Sequence, residues 1–184
     1  MTYAYQSHIY LAEVVLNVKD LKSQTAFYHQ IIGLEILSQT ETEAILGLGR
    51  KALVNLIQTE KAGEVREHYG LYHLSIKDSH AASRFYQKVL GLEDKFTIPS
   101  ASWIAAGQYH HHLAVNEWAG KGLAPRKSGL PGLAYYVLEV ESKEELLAIV
   151  QQAQELEAPI KWLHSSELDL VDPEGIVTRI RLER

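Results

Sequence analysis

Cysteine is absent from the 184 residues. Its absence excludes disulfides, thiolate metal ligands and a cysteine nucleophile, and it suits a reducing compartment. No apolar run is long enough to cross a bilayer, and the start, MTYAYQSHIYLAEVV, lacks the basic opening of a secretory signal. Basic clusters with interleaved aromatics are missing too, and the formal net charge is -5, which argues against a nucleic-acid partner. The expectation is a soluble cytoplasmic protein with neither membrane nor nucleic acid as partner. With 46% apolar and 22% charged residues, the chain has the make-up of one that buries a core.

What is present is a repeat. Residues 15–58 align without a gap on residues 73–116, at an offset of 58 positions. Asp20 falls on Asp78, Phe27-Tyr28 on Phe85-Tyr86, Gly33-Leu34-Glu35 on Gly91-Leu92-Glu93, and Gly49 on Gly107. Each copy predicts a strand, then an Asp that caps a helix, then apolar residues four apart (Phe27 and Ile31; Phe85 and Val89), then a glycine at the helix end. Three short strands follow, at 92–98, 101–106 and 108–116 in the second copy. A third, more diverged copy opens at Gly132-Leu133-Ala134-Tyr135. Ser142 and Glu145 form a capping box for its helix, and Asp172-Pro173-Glu174-Gly175 turns the chain into the closing strand IVTRIRL. The class is α+β, built from three βαβββ modules.

The stretch GQYHHHLAVNEWAGKG, residues 107–122, carries the most chemistry. Read as a strand, it alternates between two faces. Leu113 and Val115 define the core side, so His110 and His112 point the other way, with Asn116 beside them. His8, His29, His68, His80 and His164 read as surface residues, and Trp118 as a loop anchor.

The motifs NVKDLKSQTAFYHQIIGLEIL, KDSHAASRFYQKVLGLE and DPEGIVTRIRL resemble the vicinal oxygen chelate superfamily of glyoxalases, bleomycin-resistance proteins and extradiol dioxygenases. The histidine stretch narrows the resemblance to the catechol-2,3-dioxygenase-like branch. The resemblance implies that two modules curl into an open barrel around a divalent metal (Fe, Mn, Zn or Ni), held by first and last strands. Carried over by position, it implies His73 and His112 as metal ligands, with His110 as helper. It places Tyr135 and Arg179 where the active members have His and Glu. A guanidinium about 4 Å from a dication, at an effective dielectric of about 20, is repelled by roughly 8 kcal/mol, so either Arg179 turns away or the metal is absent. Tyr135 is then a candidate acid, and Tyr135, Arg179, His110 and Asn116 are candidates for binding a phenolic or anionic small molecule.

Three readings follow from the resemblance: a metal-dependent ring-cleaving dioxygenase acting on a small aromatic or oxygenated compound, a metal-free small-molecule binding protein like the bleomycin-resistance proteins, or a degenerate remnant. The expected organisation is an unpaired first module, 9–60, and a barrel formed by modules two and three, 70–184. Val15, Val54 and Leu56 of module one, with Gln58 beside them, would line an open trough. Closing that trough against a second copy predicts a homodimer.

Overall fold

A computed structural model describes residues 7–60, 74–118 and 129–183, with the backbone alone for residues 74 and 75. Module one comprises β1 (Ile9–Val18), α1 (Leu21–Ala26), a π-turn (Phe27–Ile31), β2 (Glu35–Gln39), β3 (Glu43–Leu48) and β4 (Lys51–Gln58). Module two comprises β5 (Leu74–Ser75), α2 (Ser79–Leu90), β6 (Glu93–Ile98), β7 (Ala101–Ala105) and β8 (Leu113–Asn116). Module three comprises β9 (Gly132–Val140), α3 (Lys143–Glu155), β10 (Ile160–His164), β11 (Glu167–Val171) and β12 (Val177–Leu182). The three βαβββ units are those expected from the repeat.

Local signals hold where they rest on backbone chemistry. Asp20 and Asp78 accept from the amides of Ser23 and Ala81, satisfying N–H groups that an open helix end would leave unpaired. Ser142 and Glu145 close the capping box on α3. Gly91 ends α2 with φ of 64°, a left-handed conformation that a side chain disfavours. Module one departs at its helix. The Ile32 amide bonds to the Phe27 carbonyl, five residues back, so the chain turns wider than an α-helix. That turn carries Phe27 and Ile31 off the buried face: they are 45% and 72% exposed, and Tyr28 packs inward instead.

The pairing of modules differs from the expected one. Modules one and three share an eight-stranded sheet, in the order β10-β11-β12-β9-β1-β4-β3-β2, and module two forms its own sheet, β5-β8-β7-β6. The join is β1 against β9, antiparallel, from Ile9–Val140 to Asn17–Gly132. Module one is therefore not the unpaired module, and the division at 9–60 and 70–184 does not describe the sheets. Its expected trough is also absent: Val15 and Leu56 are both fully buried. Leu56 and Val54 pack with Val18, Leu21 and Leu46 on the side of α1, where Gln58 accepts from the Leu21 amide. Asn55, not Val54, shares a face with Val15, its ladder partner. The reason for a dimer built through module one is thereby removed.

Modules two and three meet through their helices. One apolar core takes in Phe85, Tyr86 and Val89 of α2, Leu146 and Ile149 of α3, Leu113 and Val115 of β8, and Leu138 and Ile180 of the large sheet. Inside it, the Tyr86 hydroxyl donates to Asp172 Oδ2 at 2.7 Å, and Asp172 Oδ1 accepts from the amides of Glu174 and Ile176. The DPEG turn is thus pinned to α2.

Candidate functional site

Strand β8 begins only at Leu113, so the three histidines precede it. Gly107, with φ of 62°, turns the chain out of β7, and the His112 amide makes the last bond back, to the Ile104 carbonyl. Strict alternation therefore fails here. Leu113 and Val115 do face the core, but Tyr109, His111 and His112 come to line one cavity, while His110 is exposed. The ring centroids of Tyr109 lie 4.4 Å from His110 and 5.0 Å from His112, so the segment holds itself as an aromatic cluster.

That cavity, of about 520 Å³, is bounded by Ser7, Tyr10, Leu11, Lys51, Tyr109, His111 and His112. Its walls come from two modules: β1 and the start of β4 from module one, and the segment before β8 from module two. The repeat explains the meeting. Gly49 and Gly107 are equivalent and both take positive φ, 60° and 62°, so Lys51 and Tyr109, 58 positions apart, enter from matching turns. Lys51 Nζ lies 5.1 Å from the Tyr10 ring centroid, a cation over an aromatic face.

His112 is fixed by an unusual partner. The Ala106 amide donates to its Nδ1 at 3.1 Å. A backbone N–H only donates, so Nδ1 accepts and the proton of the neutral ring sits on Nε2. Burial first, and then the neighbouring His111, hold this imidazole below the usual histidine range, which keeps it neutral near pH 7. A ring in this state offers one N–H donor and no nitrogen lone pair for a metal.

The other expected site residues lie elsewhere. Tyr135 and Arg179 sit on β9 and β12 in the large sheet. Arg179 donates to both carboxylate oxygens of Asp169, at 2.8 and 3.1 Å, and to the Tyr135 hydroxyl at 2.8 Å; its guanidinium carbon lies 4.0 Å from the Tyr135 ring centroid. Glu167 stands 3.4 Å away. One step along, Arg181 pairs with Glu139 at 2.7 Å and approaches Glu13 at 3.9 Å. Burial raises the Glu13 carboxyl, against the pull of Arg181 and Arg179. Burial likewise raises the Tyr135 phenol. The guanidinium that was a candidate for an anionic ligand is thus spent on carboxylates of its own sheet. Asn116 is buried, and its side-chain oxygen accepts from the Trp118 amide, a turn-forming role. Trp118 itself donates to Ser100 Oγ, as a loop anchor should. His73 lies outside the described residues.

The structure therefore does not unite the expected set. His112 belongs to one place, Tyr135 and Arg179 to another, and no group of three or more His, Cys, Asp or Glu suited to a metal occurs among the described residues. The residues the sequence reading missed are Tyr10, Lys51 and Tyr109. The signal for two of them was the repeat register, which sets Lys51 opposite Tyr109.

No family model matches the chain. A catechol-2,3-dioxygenase of Bacillus subtilis is 38% identical over 79 residues, 42% of this chain and 28% of that protein, so the match spans little more than a quarter of that relative's length. Among solved structures, glyoxalase I from Zea mays superposes with a TM-score of 0.61 at 14% identity, covering 94% of this chain and 92% of that one. A variant of the same enzyme gives 0.66 at 13% identity, covering 96% and 94%. Likeness at this level is likeness of fold: the chain has the fold of glyoxalase I, with its larger sheet left open among the described residues.

Proposed function

We propose that this protein, a chain with the vicinal oxygen chelate fold, binds a small oxygenated aromatic compound in the cavity between modules one and two, without a metal. The observation that carries the reading is the bond from the Ala106 amide to His112 Nδ1. It makes His112 a donor toward a ligand oxygen rather than a ligand of an ion. Tyr10 and Tyr109 supply aromatic lining, and an open cleft of about 520 Å³ is of the size that small-molecule sites have.

The second reading is metal-dependent ring cleavage. The 38% identity with the catechol-2,3-dioxygenase favours it. It would use His112 and His73 for a divalent ion (Fe, Mn, Zn or Ni), and it requires His112 to give up the Ala106 bond and move its proton to Nδ1. Long-range proton–nitrogen NMR of the imidazoles separates the two. Our reading predicts the Nε2-protonated tautomer for His112, a titration midpoint below the ordinary histidine value, and no change on adding zinc or manganese. An Nδ1-protonated ring whose Nε2 signal moves with one equivalent of zinc would establish the second reading.

A further inference from the structure

We infer that the protein has a second small-molecule site, apart from the histidine cavity, and that this site takes a free apolar α-amino acid. It is a cleft of about 460 Å³ between α2 and the chain that follows α3, floored by the start of the DPEG turn. It shares no lining residue with the cavity between modules one and two.

The two walls carry opposite charge. On α2, Arg84 and Lys88 stand about one turn apart on the face that meets the cleft. Across from them is Glu157, just beyond α3, whose carbonyl end adds partial negative charge. Among the described residues, none pairs with the side chain of Arg84, Lys88 or Glu157. The other carboxylate of the cleft is already engaged. Asp172 is buried; its Oδ2 accepts from the Tyr86 hydroxyl at 2.7 Å, and its Oδ1 accepts from the amides of Glu174 and Ile176. Those bonds fix the floor and leave the two cations unmet. On the large sheet, by contrast, Arg179 and Arg181 are paired with Asp169 and Glu139.

The backbone marks the acidic wall independently. Glu157 has φ of 52°, and it is the single non-glycine residue with positive φ among those described. Glycine suits this place after a helix, because it takes the left-handed conformation freely. Backbone strain of this kind concentrates at ligand sites, and here it comes with a carboxylate at the cleft. Between the charged walls the lining is apolar, with Phe85, Leu156, Pro159, Val171 and Pro173. An α-amino acid has a carboxylate and an ammonium on one carbon and a side chain beside them. Its carboxylate would meet Arg84 and Lys88, its ammonium Glu157, and its apolar side chain the lining between. A plain anion would leave Glu157 unmatched, and a plain cation would leave Arg84 and Lys88 so.

The test is calorimetric titration of the full chain with three probes: leucine, isocaproate (leucine without its ammonium) and isoamylamine (leucine without its carboxylate). The probes are aliphatic because the histidine cavity is proposed for aromatic compounds. Leucine should bind at least about tenfold more tightly than either, the factor that one contact to a charged group gives. Glu157→Gln should bring leucine down to the affinity of isocaproate. Arg84→Met combined with Lys88→Met should bring it down to that of isoamylamine. All three side chains are exposed, so the variants should melt with the parent. In isotope-labelled parent protein, leucine should move the amides of Arg84, Lys88 and Glu157 and leave those of Tyr109 to His112 still. Failure to bind leucine would overturn the inference, as would equal affinity for leucine and isocaproate, which would mean an anion site only. So would preferences that survive the substitutions, or shifts confined to the histidine segment.

Discussion

At the scale of single residues, identity is a poor guide to role until the neighbours are known. Arg179 drew attention because a cation stood where the resemblance called for a carboxylate. In the fold it has its own carboxylates, with Asp169 in a two-pronged grip and Tyr135 under the guanidinium plane. Removing one partner of such a partly buried pair leaves the other charged and poorly solvated, which is costlier than the pair is stabilising. Arg179→Met should therefore lower unfolding stability by about 3 kcal/mol in denaturant titration, while ligand affinity in the cavity stays as it was. A variant as stable as the parent but impaired in binding would make Arg179 a ligand residue after all. His112 shows the reverse case. Its candidacy was legible from the run of three histidines, but its proton was not, because the partner is a backbone amide six residues earlier with no side-chain signature.

Among elements, legibility followed the range of the interaction that decides each one. Helix starts at Asp20, Asp78 and Ser142 were readable, since each is settled within three residues. The π-turn at Phe27–Ile31 was not: the apolar spacing there matches that of α2, and one extra residue in the turn redirects it. The histidine segment was misread as strand because its composition resembles the strand it precedes. Gly107 ends β7, and the ladder resumes only at Leu113. The tie between α2 and the DPEG turn was hidden altogether, as Tyr86 and Asp172 are 86 positions apart and fully or nearly fully buried. Burial raises the Asp172 carboxyl, while the bond from Tyr86 and the two amides favour its charged form. Tyr86→Phe leaves one buried carboxylate oxygen without that donor and should cost about 2 kcal/mol in thermal or chemical unfolding. A change below about 0.5 kcal/mol would mean that the hydroxyl contributes no more than an exposed group does.

For the whole molecule, the repeat announced three modules but could not announce which two would share a sheet. First strands LAEVVLNV, GLYHLSI and GLAYYVLEV are alike in composition, and any pair of them could form an antiparallel ladder. The ladder that forms is β1 with β9. That choice moves the chemistry as well. It puts Tyr135 and Arg179 in a sheet with module one, stitched by its own ion pairs, and brings the start of β4 beside the histidines of module two. The central claim is the location of the ligand site, and amide shift mapping tests it most directly. Titrating benzoate into nitrogen-15-labelled protein, with chelator present, should move the amides of Tyr10, Lys51 and Tyr109 to His112 and leave those of Glu13, Tyr135, Asp169 and Arg179 in place. Shifts gathered around Tyr135 and Arg179, with the histidine segment still, would contradict the account.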